Sequence, residues 1–539
     1  MLEWELLILT PQSLADHQGD KVDTMEWSFE SVLVQGTLAL AMLLGLLYSY
    51  ITRLYDYWSK RDIPHLEPSF PFGNIKDLIF AKIDIGRFYE RFYKKFKGHK
   101  YGGIYELRRP TLILTDLDMV KQVVTKDFIF FVDRALPPKS SHDVLANNLF
   151  AMEGQEWKDM RTKLTPAYSS GKMKLMYTLI EVCSEQLRQH LEPLAAKNEV
   201  IDIKELMSRF TIDIIASCAF GLEVNTLADS NTDFYEVSQL IFKQSKSFFL
   251  KRFFMSTFPR LANLLRMSLI DSRVNDFIMT LVNTTVGYRE KNGVNRNDFM
   301  DLLIKVKNNA SLDEKLTSKG CNSITNNLTL KEMAAQAFVF FAAGFETAAS
   351  TTTFVLYELA RNPDIQQKLR HEIDETMEKY GGKITYQAMQ EMPYMEQVLN
   401  ETLRMHGSAP ILVRKCTEPY KIPDTDIILD KNVKIVIPSY AIHHDPEIYP
   451  KPFEFDPERF TEENVKSRHN YSFLPFGEGP RMCIGMRFGK MQVKAGLCTI
   501  IANFELSLTP ETPDPVEISP NTVVTTPVHP IRLKIMKRT

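Results

Sequence analysis

The residue in this chain best placed to do chemistry is a cysteine near the C-terminal end. The stretch Phe476-Gly477-Glu478-Gly479-Pro480-Arg481-Met482-Cys483-Ile484-Gly485 sets a thiol at the end of a glycine-rich loop, and Met486 to Asn503 behind it reads as a helix. A helix N-terminus and the neighbouring Arg481 both favour thiolate over thiol. Gly477, Gly479 and Gly485 allow positive φ and close backbone approach, so peptide N–H groups can point at the sulfur. Phe476 can shield it from water. A shielded thiolate with no second cysteine nearby suits a single axial ligand of haem iron. The bland reading is a structural cysteine, which packs as a small hydrophobe.

The spacing F-x-x-G-x-R-x-C-x-G resembles the haem-binding loop of the cytochrome P-450 superfamily of haem-thiolate monooxygenases. Other stretches carry the same resemblance. Trp157-Lys158-Asp159-Met160-Arg161 matches the family's W-x-x-x-R helix. Its indole and guanidinium, at i and i+4, share a helix face and can donate together to a haem propionate; a surface cation–π pair is the rival. Arg134 and Arg414 resemble further propionate-binding arginines. Ala343-Gly344-Phe345-Glu346-Thr347 matches A-G-x-D/E-T in a helix that begins with a capping box, Thr329 and Glu332, and runs to about Arg361. A mid-helix glycine costs about 1 kcal/mol against alanine and asks for a reason. Ala343 and Gly344 are expected to leave room for dioxygen and substrate, Thr347 to hold water, and Glu346 to relay protons. A small-residue packing patch is the alternative. Phe338, Phe341 and Ala342 are expected either in the pocket or in the core, and residues 409 to 412 and Val523-Val524-Thr525 correspond to pocket-lining segments.

Glu401 and Arg404, at i and i+3, match the family's E-x-x-R, and Pro457-Glu458-Arg459-Phe460 supplies a second arginine, Arg459, to the glutamate. Their implied role is structural, holding the loop that carries Cys483. After Cys483 the helix spaces Arg487, Lys490 and Lys494 at i, i+3 and i+7, one face that, with Lys158, is expected to receive an acidic reductase surface.

The elements that must position these groups are mainly helical. The resemblance, from about Pro64 onward, implies a single large catalytic domain, mainly α with small β-sheets (α+β), over residues 76–539. Gly102 to Thr115 reads as a β-hairpin region, and Phe128 to Phe150 as a loop that roofs the pocket in the family. Residues 32–51 form a twenty-residue run without a charge, long enough at roughly 30 Å to cross a bilayer. Upstream, residues 1–31 hold Lys21 as the only lysine or arginine among many acids, while Arg53, Lys60 and Arg61 follow the run. That asymmetry puts the N-terminal segment in the lumen and the C-terminal side in the cytosol. Met25 would be an ordinary start for such a protein. Residues 52–75, with Pro64, Pro68 and Pro71, read as a stiff linker. The basic, aromatic stretch Ser247 to Arg260 fits a membrane surface and a buried helix equally. Lys307 to Asn326 reads as a polar surface loop.

Composition excludes several classes. A net charge of −2 without long single-sign blocks argues against nucleic-acid binding. The six cysteines are scattered with no C-x-x-C, which removes zinc-finger and thioredoxin readings. No dinucleotide or Walker loop is present, so electrons must come from another protein. The resemblance, strongest to insect microsomal family-six enzymes that oxidise plant toxins and insecticides, therefore implies haem b with a Cys483 thiolate. It further implies NADPH acting through NADPH-cytochrome P-450 reductase, with cytochrome b5 as a second donor, and an endoplasmic reticulum address. The reaction implied is R–H + O2 + NADPH + H+ → R–OH + H2O + NADP+ on small lipophilic molecules. Two rivals are kept: a haem-thiolate isomerase or dehydratase that needs no O2, and a haem-bearing sensor or sequestering protein without turnover.

Overall fold

The computed structural model describes residues 29–137, 142–229, 232–242, 248–296, 298–308 and 328–538. It divides into two units, residues 1–53 and 54–539. In the first, α1 (Phe29–Thr52) is one unbroken helix. Its stretch Leu33–Thr52 has a mean hydropathy of 1.6 with nothing buried, meeting the length and composition of a membrane-crossing helix. The expected extension, residues 1–24, lies outside the described residues.

In the second unit, the stretch expected as a linker is packed structure. Trp58 is fully buried, and its indole N–H donates to the Ile104 carbonyl at 2.9 Å. Leu66 N–H donates to Gly103 O at 3.1 Å, and Gly103 N–H to Pro64 O at 2.7 Å. Prolines here set an extended chain that lies along β1 (Tyr101–Glu106), whose partner β2 (Arg109–Leu114) completes the expected hairpin. Gly103 is required by this contact, since a Cβ there would fall 2.5 Å from the Trp58 ring.

Three helices frame the middle of the unit. α2 (Gly154–Leu164) carries the W-x-x-x-R pair. α3 (Ile203–Ile215) starts on Asp202, whose carboxylate caps the N–H groups of Lys204 and Glu205. α4 (Leu330–Arg361) opens with both hydrogen bonds of the capping box and stops at Asn362-Pro363. From Ala348 to Ala360 every side chain of α4 is buried, so this apolar helix is the axis of the core.

α5 (Pro393–Met405) begins on a proline, which fits the first helical turn. β3 (Leu412–Lys415) and β4 (Lys434–Ile437) complete a four-stranded sheet of order β1-β2-β4-β3, with β2 and β4 parallel and the other neighbours antiparallel. α6 (Met486–Asn503) follows the cysteine loop. A three-stranded sheet of Val200–Asp202, Arg532–Lys537 and Phe504–Leu508 closes the chain's C-terminal part. The result is mainly α with small sheets.

The stretch Ser247 to Arg260 is described only in part. Phe248–Thr257 is helical and Met255 is buried, while Leu264 and Leu265 just beyond are exposed. Lys246 and Ser247, and the polar stretch from 309 to 326, lie outside the described residues.

Candidate active site

The cysteine loop is built on two left-handed glycines. Gly477 and Gly479 have φ of +70° and +74°, and a Cβ on Gly479 would lie 2.0 Å from the Val124 carbonyl oxygen. Gly485 does not use that freedom in φ. It caps α6 at φ −89°, a conformation open to any residue, so its use is not a positive φ. Cys483 N–H donates to the Phe476 carbonyl at 2.9 Å, which closes the loop. Among the described cysteines, Cys183, Cys218, Cys416 and Cys498 are buried, and Cys483 alone is exposed, opening onto a cavity of about 360 Å³ that it lines. Desolvation pushes its thiol up. The Gly485 N–H, Arg161 and Arg134 oppose this and favour the thiolate. Arg481, expected to be that neighbour, turns away: it donates to Val132 O at 2.8 Å and Met152 O at 2.6 Å. Phe476 lines the cavity beside the sulfur.

Four arginines from separate segments line the same cavity: Arg134, Arg161, Arg414 and Arg481. Among the described residues, no aspartate or glutamate does. Desolvation holds Arg414 down at about 10 and Arg481 at about 9, the latter with Arg414 adding repulsion. Arg134 is lowered well below its usual value by burial and then by Arg481 and Arg414. Arg161 donates to Met482 O at 2.9 Å and Arg134 to Phe150 O at 2.9 Å. The buried Nε of Arg414 has no hydrogen-bond partner. Buried cations without counter-charge are costly, and their donors fit a ligand bearing carboxylates, as haem b does with two propionates. Trp157 also lines the cavity, but its ring is covered by Arg481, whose guanidinium carbon lies 4.1 Å from the ring centre. The stack occupies the ring face, not the in-plane indole N–H, so it does not displace the expected joint donation with Arg161.

α4 contributes Gln336, Val339, Phe340, Ala343, Gly344, Thr347, Ala348 and Thr351 to the cavity. That is one helical stripe at spacings of three and four. Phe338, Phe341 and Ala342 fall off it. Phe341 is fully buried among Phe220, Phe234 and Phe345, with ring centres 5.2–6.3 Å away. Val523 is likewise outside the lining and 45 % exposed, whereas Ala409, Ile411 and Leu412 are part of it. Gly344 has a packing reason the motif did not suggest: a Cβ there would sit 2.4 Å from Ile215 Cδ1 on α3. Thr347 Oγ1 donates back to Ala343 O at 2.7 Å, and Thr351 Oγ1 donates to Thr347 O at 2.8 Å. Ser408 Oγ, 3.3 Å from Thr351 Oγ1, adds a third hydroxyl that sequence reading missed. Glu346 does not line the cavity. It is buried in an ion pair with Lys204 of α3 at 2.8 Å, so its carboxylate is engaged by a cation rather than free.

Beneath the loop, Glu401 and Arg404 on α5 are both fully buried and joined by two hydrogen bonds of 2.7 and 2.8 Å. Asp456 N–H adds a third to Glu401 at 3.0 Å. Arg459 Nε stands 3.3 Å from Glu401 Oε1, an ion pair too misaligned to be a hydrogen bond. Arg404 also donates to the carbonyl of His443 at 2.8 Å. The face read as a reductase dock is rearranged. Lys494 is buried at 6 % exposure and pairs with Glu396 of α5 at 2.9 Å, and Lys490 pairs with the same carboxylate. Arg487 and Lys158 remain exposed.

The comparisons agree with this geometry. The family model described as Cytochrome P-450 matches residues 64–535. A Drosophila melanogaster protein named probable cytochrome P-450 6a14 is 43 % identical over 507 residues, covering 93 % of this chain and 99 % of its own. Cytochrome P-450 6A1 of Musca domestica is 39 % identical over 503 residues, covering 92 % and 97 %. Cytochrome P-450 6j1 of Blattella germanica is 38 % identical over 495 residues, covering 92 % and 96 %. With a thiol at the mouth of a cavity ringed by unbalanced arginines, and with this likeness along nearly its whole length, the chain belongs to the cytochrome P-450 family of monooxygenases, which hold haem b through a cysteine thiolate.

Proposed function

We propose that this chain hydroxylates small lipophilic molecules, xenobiotics or endogenous lipids, with electrons from NADPH delivered by a separate reductase. The observation that carries the reading is the cavity itself: one accessible thiol, four arginines and no carboxylate on its walls. Haem b, held by the Cys483 thiolate, supplies the activation of dioxygen. The chain's own groups do the rest. Arg134, Arg161 and Arg414 would offer charge-assisted donors to the propionates, and Arg481, held by backbone carbonyls, would add positive charge beside them, which would offset the cost of their desolvation. Phe299, Val339, Phe340 and Leu399 make an apolar wall that excludes water and favours a lipophilic substrate. Thr347, Thr351 and Ser408 bring hydroxyl groups to that wall, and Thr347 Oγ, which lines the cavity while bonded to Ala343 O, would be the hydroxyl that holds a proton there. Glu346 is tied to Lys204, so a proton relay through it requires that pair to open.

Arg487 and Lys158 are the exposed cations left to steer an acidic reductase, now that Lys490 and Lys494 are bound to Glu396. The apolar α1, followed by Arg53, Lys60 and Arg61, supports anchoring in the endoplasmic reticulum membrane with residues 54–539 cytosolic. The test is the reduced carbon-monoxide spectrum together with a product screen by mass in the presence of reductase and NADPH. The wild type is expected to show the red-shifted Soret band of thiolate ligation and oxygenated products. Cys483→Ala is expected to lose both, and an unchanged band in that variant would overturn the reading.

A further inference from the structure

Between the buried ion pair and the cysteine loop stands a residue that belongs to neither motif. His443 ends the short helix Ser439–His443 and is 2 % exposed. Its carbonyl accepts Nη1 of Arg404 at 2.8 Å, and its ring Nε2 lies 2.9 Å from the amide nitrogen of Leu474. An N–H pointed at Nε2 needs an acceptor there, so the ring is neutral with its proton on Nδ1. Burial, with Arg404 nearby, pushes the His443 pKa down to about 3, which keeps the ring an acceptor at any physiological pH.

Leu474 has a particular need for this partner. It is fully buried and precedes Pro475, which biases it to extended backbone and removes the next N–H from the chain. A buried amide in that position must find an acceptor from outside its own segment. From Leu474 the contacts run directly into the loop: Gly477 N–H donates to Leu474 O at 3.1 Å, and Cys483 N–H donates to Phe476 O at 2.9 Å.

We propose that His443 is the positioning residue for the Cys483 sulfur, converting the rigidity of the Glu401–Arg404 pair into a fixed place for the loop through its ring bond to Leu474. The proposal rests on Cys483 being the haem ligand. It gives the ion pair a route to the ligand that runs through an imidazole, so the ring's acceptor atom, rather than its bulk, is what matters.

Two variants separate those properties. His443→Phe keeps an aromatic of similar size but leaves the Leu474 N–H without an acceptor, and His443→Gln supplies a side-chain carbonyl in its place. Each is purified with haem, reduced under carbon monoxide, and followed for conversion of the red-shifted Soret band to the unshifted form. His443→Phe is expected to convert about tenfold faster than wild type, the scale of orphaning one buried donor, with faster amide exchange across residues 472–483 and unchanged exchange along α4. His443→Gln is expected to stay near wild type in both readouts. Where His443→Phe yields no folded protein, His443→Gln alone decides: near-wild-type conversion supports the proposal, and rapid conversion overturns it. Equal conversion of His443→Phe and wild type also overturns it. A red-shifted band that persists in Cys483→Ala would instead strike at the ligand assignment.

Discussion

Two sets of arginines among the described residues, one beneath the cysteine loop and one around the cavity, are satisfied in opposite ways. Arg404 meets Glu401 with two short hydrogen bonds, and every strong donor it has is matched by protein. Arg134, Arg161, Arg414 and Arg481 crowd one cavity whose walls carry no acid, and Arg414 Nε has no hydrogen-bond partner. The first arrangement is complete as folded chain and serves the fold. The second leaves positive charge unmatched on the cavity wall, which suits an anionic ligand. Burial alone does not separate these roles; the charge balance around the buried group does.

The largest expected effect comes from breaking the balanced site. Glu401→Gln leaves Arg404 charged in a fully buried place, a loss of about 3–5 kcal/mol that is a large part of a domain's stability. It should give little folded, haem-containing protein; normal yield with a normal melting temperature would show that the pair is dispensable. The unbalanced site should answer with the opposite sign. Arg414→Met removes a desolvated, partner-poor cation, so the haem-free protein should melt no lower than wild type, while haem is lost about tenfold faster for want of a charge-assisted bond. Paired melting and haem-transfer measurements check it, and a large fall in apoprotein stability would erase the contrast.

Charges outside both sites refine the comparison. Arg487→Glu with Lys158→Glu should slow haem reduction by the reductase a few-fold at low salt, with the defect shrinking as ionic strength rises. A salt-independent result would remove these residues from docking. The smallest effect concerns Asp213, a buried carboxylate whose hydrogen bonds come from the Thr226 N–H at 2.9 and 3.1 Å. Burial pushes its pKa up to about 6. Because the folded value lies above the unfolded one, its contribution favours folding below about pH 4 and is lost as pH rises towards 6. Asp213→Asn should therefore match wild type in acid and gain relative stability above pH 6, seen as a pH-dependent difference in melting temperature.

Much of the site could be read from local sequence because its signals are local. The boundaries of α6, the capping box on α4 and the two left-handed glycines follow from residues within a few positions of one another. What could not be read depends on which distant element covers a face. Arg487, Lys490 and Lys494 do share a helical stripe, but only the fold brings Glu396 against two of them. The same holds for α4. Its periodicity groups Val339, Phe340, Ala343 and Thr347, yet the rotation that turns this stripe to the cavity and sends Phe341 into the core is set by α3 and its neighbours. Gly344 looked like space for a ligand and is also space for Ile215. His443 carried no motif at all, since its two partners lie 39 and 31 positions away.

One consequence of α5 concerns tolerance to error. Glu396 holds α6 just after the cysteine loop through Lys490 and Lys494, and Glu401 with Arg404 holds the segment just before the loop through His443. Both anchors therefore sit on one thirteen-residue helix, separated along it by roughly 8–12 Å. A loop clamped at both ends to the same helix has a single reference, which fixes the spacing of its two ends. Substitutions in the roof and walls of the cavity leave that spacing untouched, as an instrument keeps calibration when its gauge points share one block.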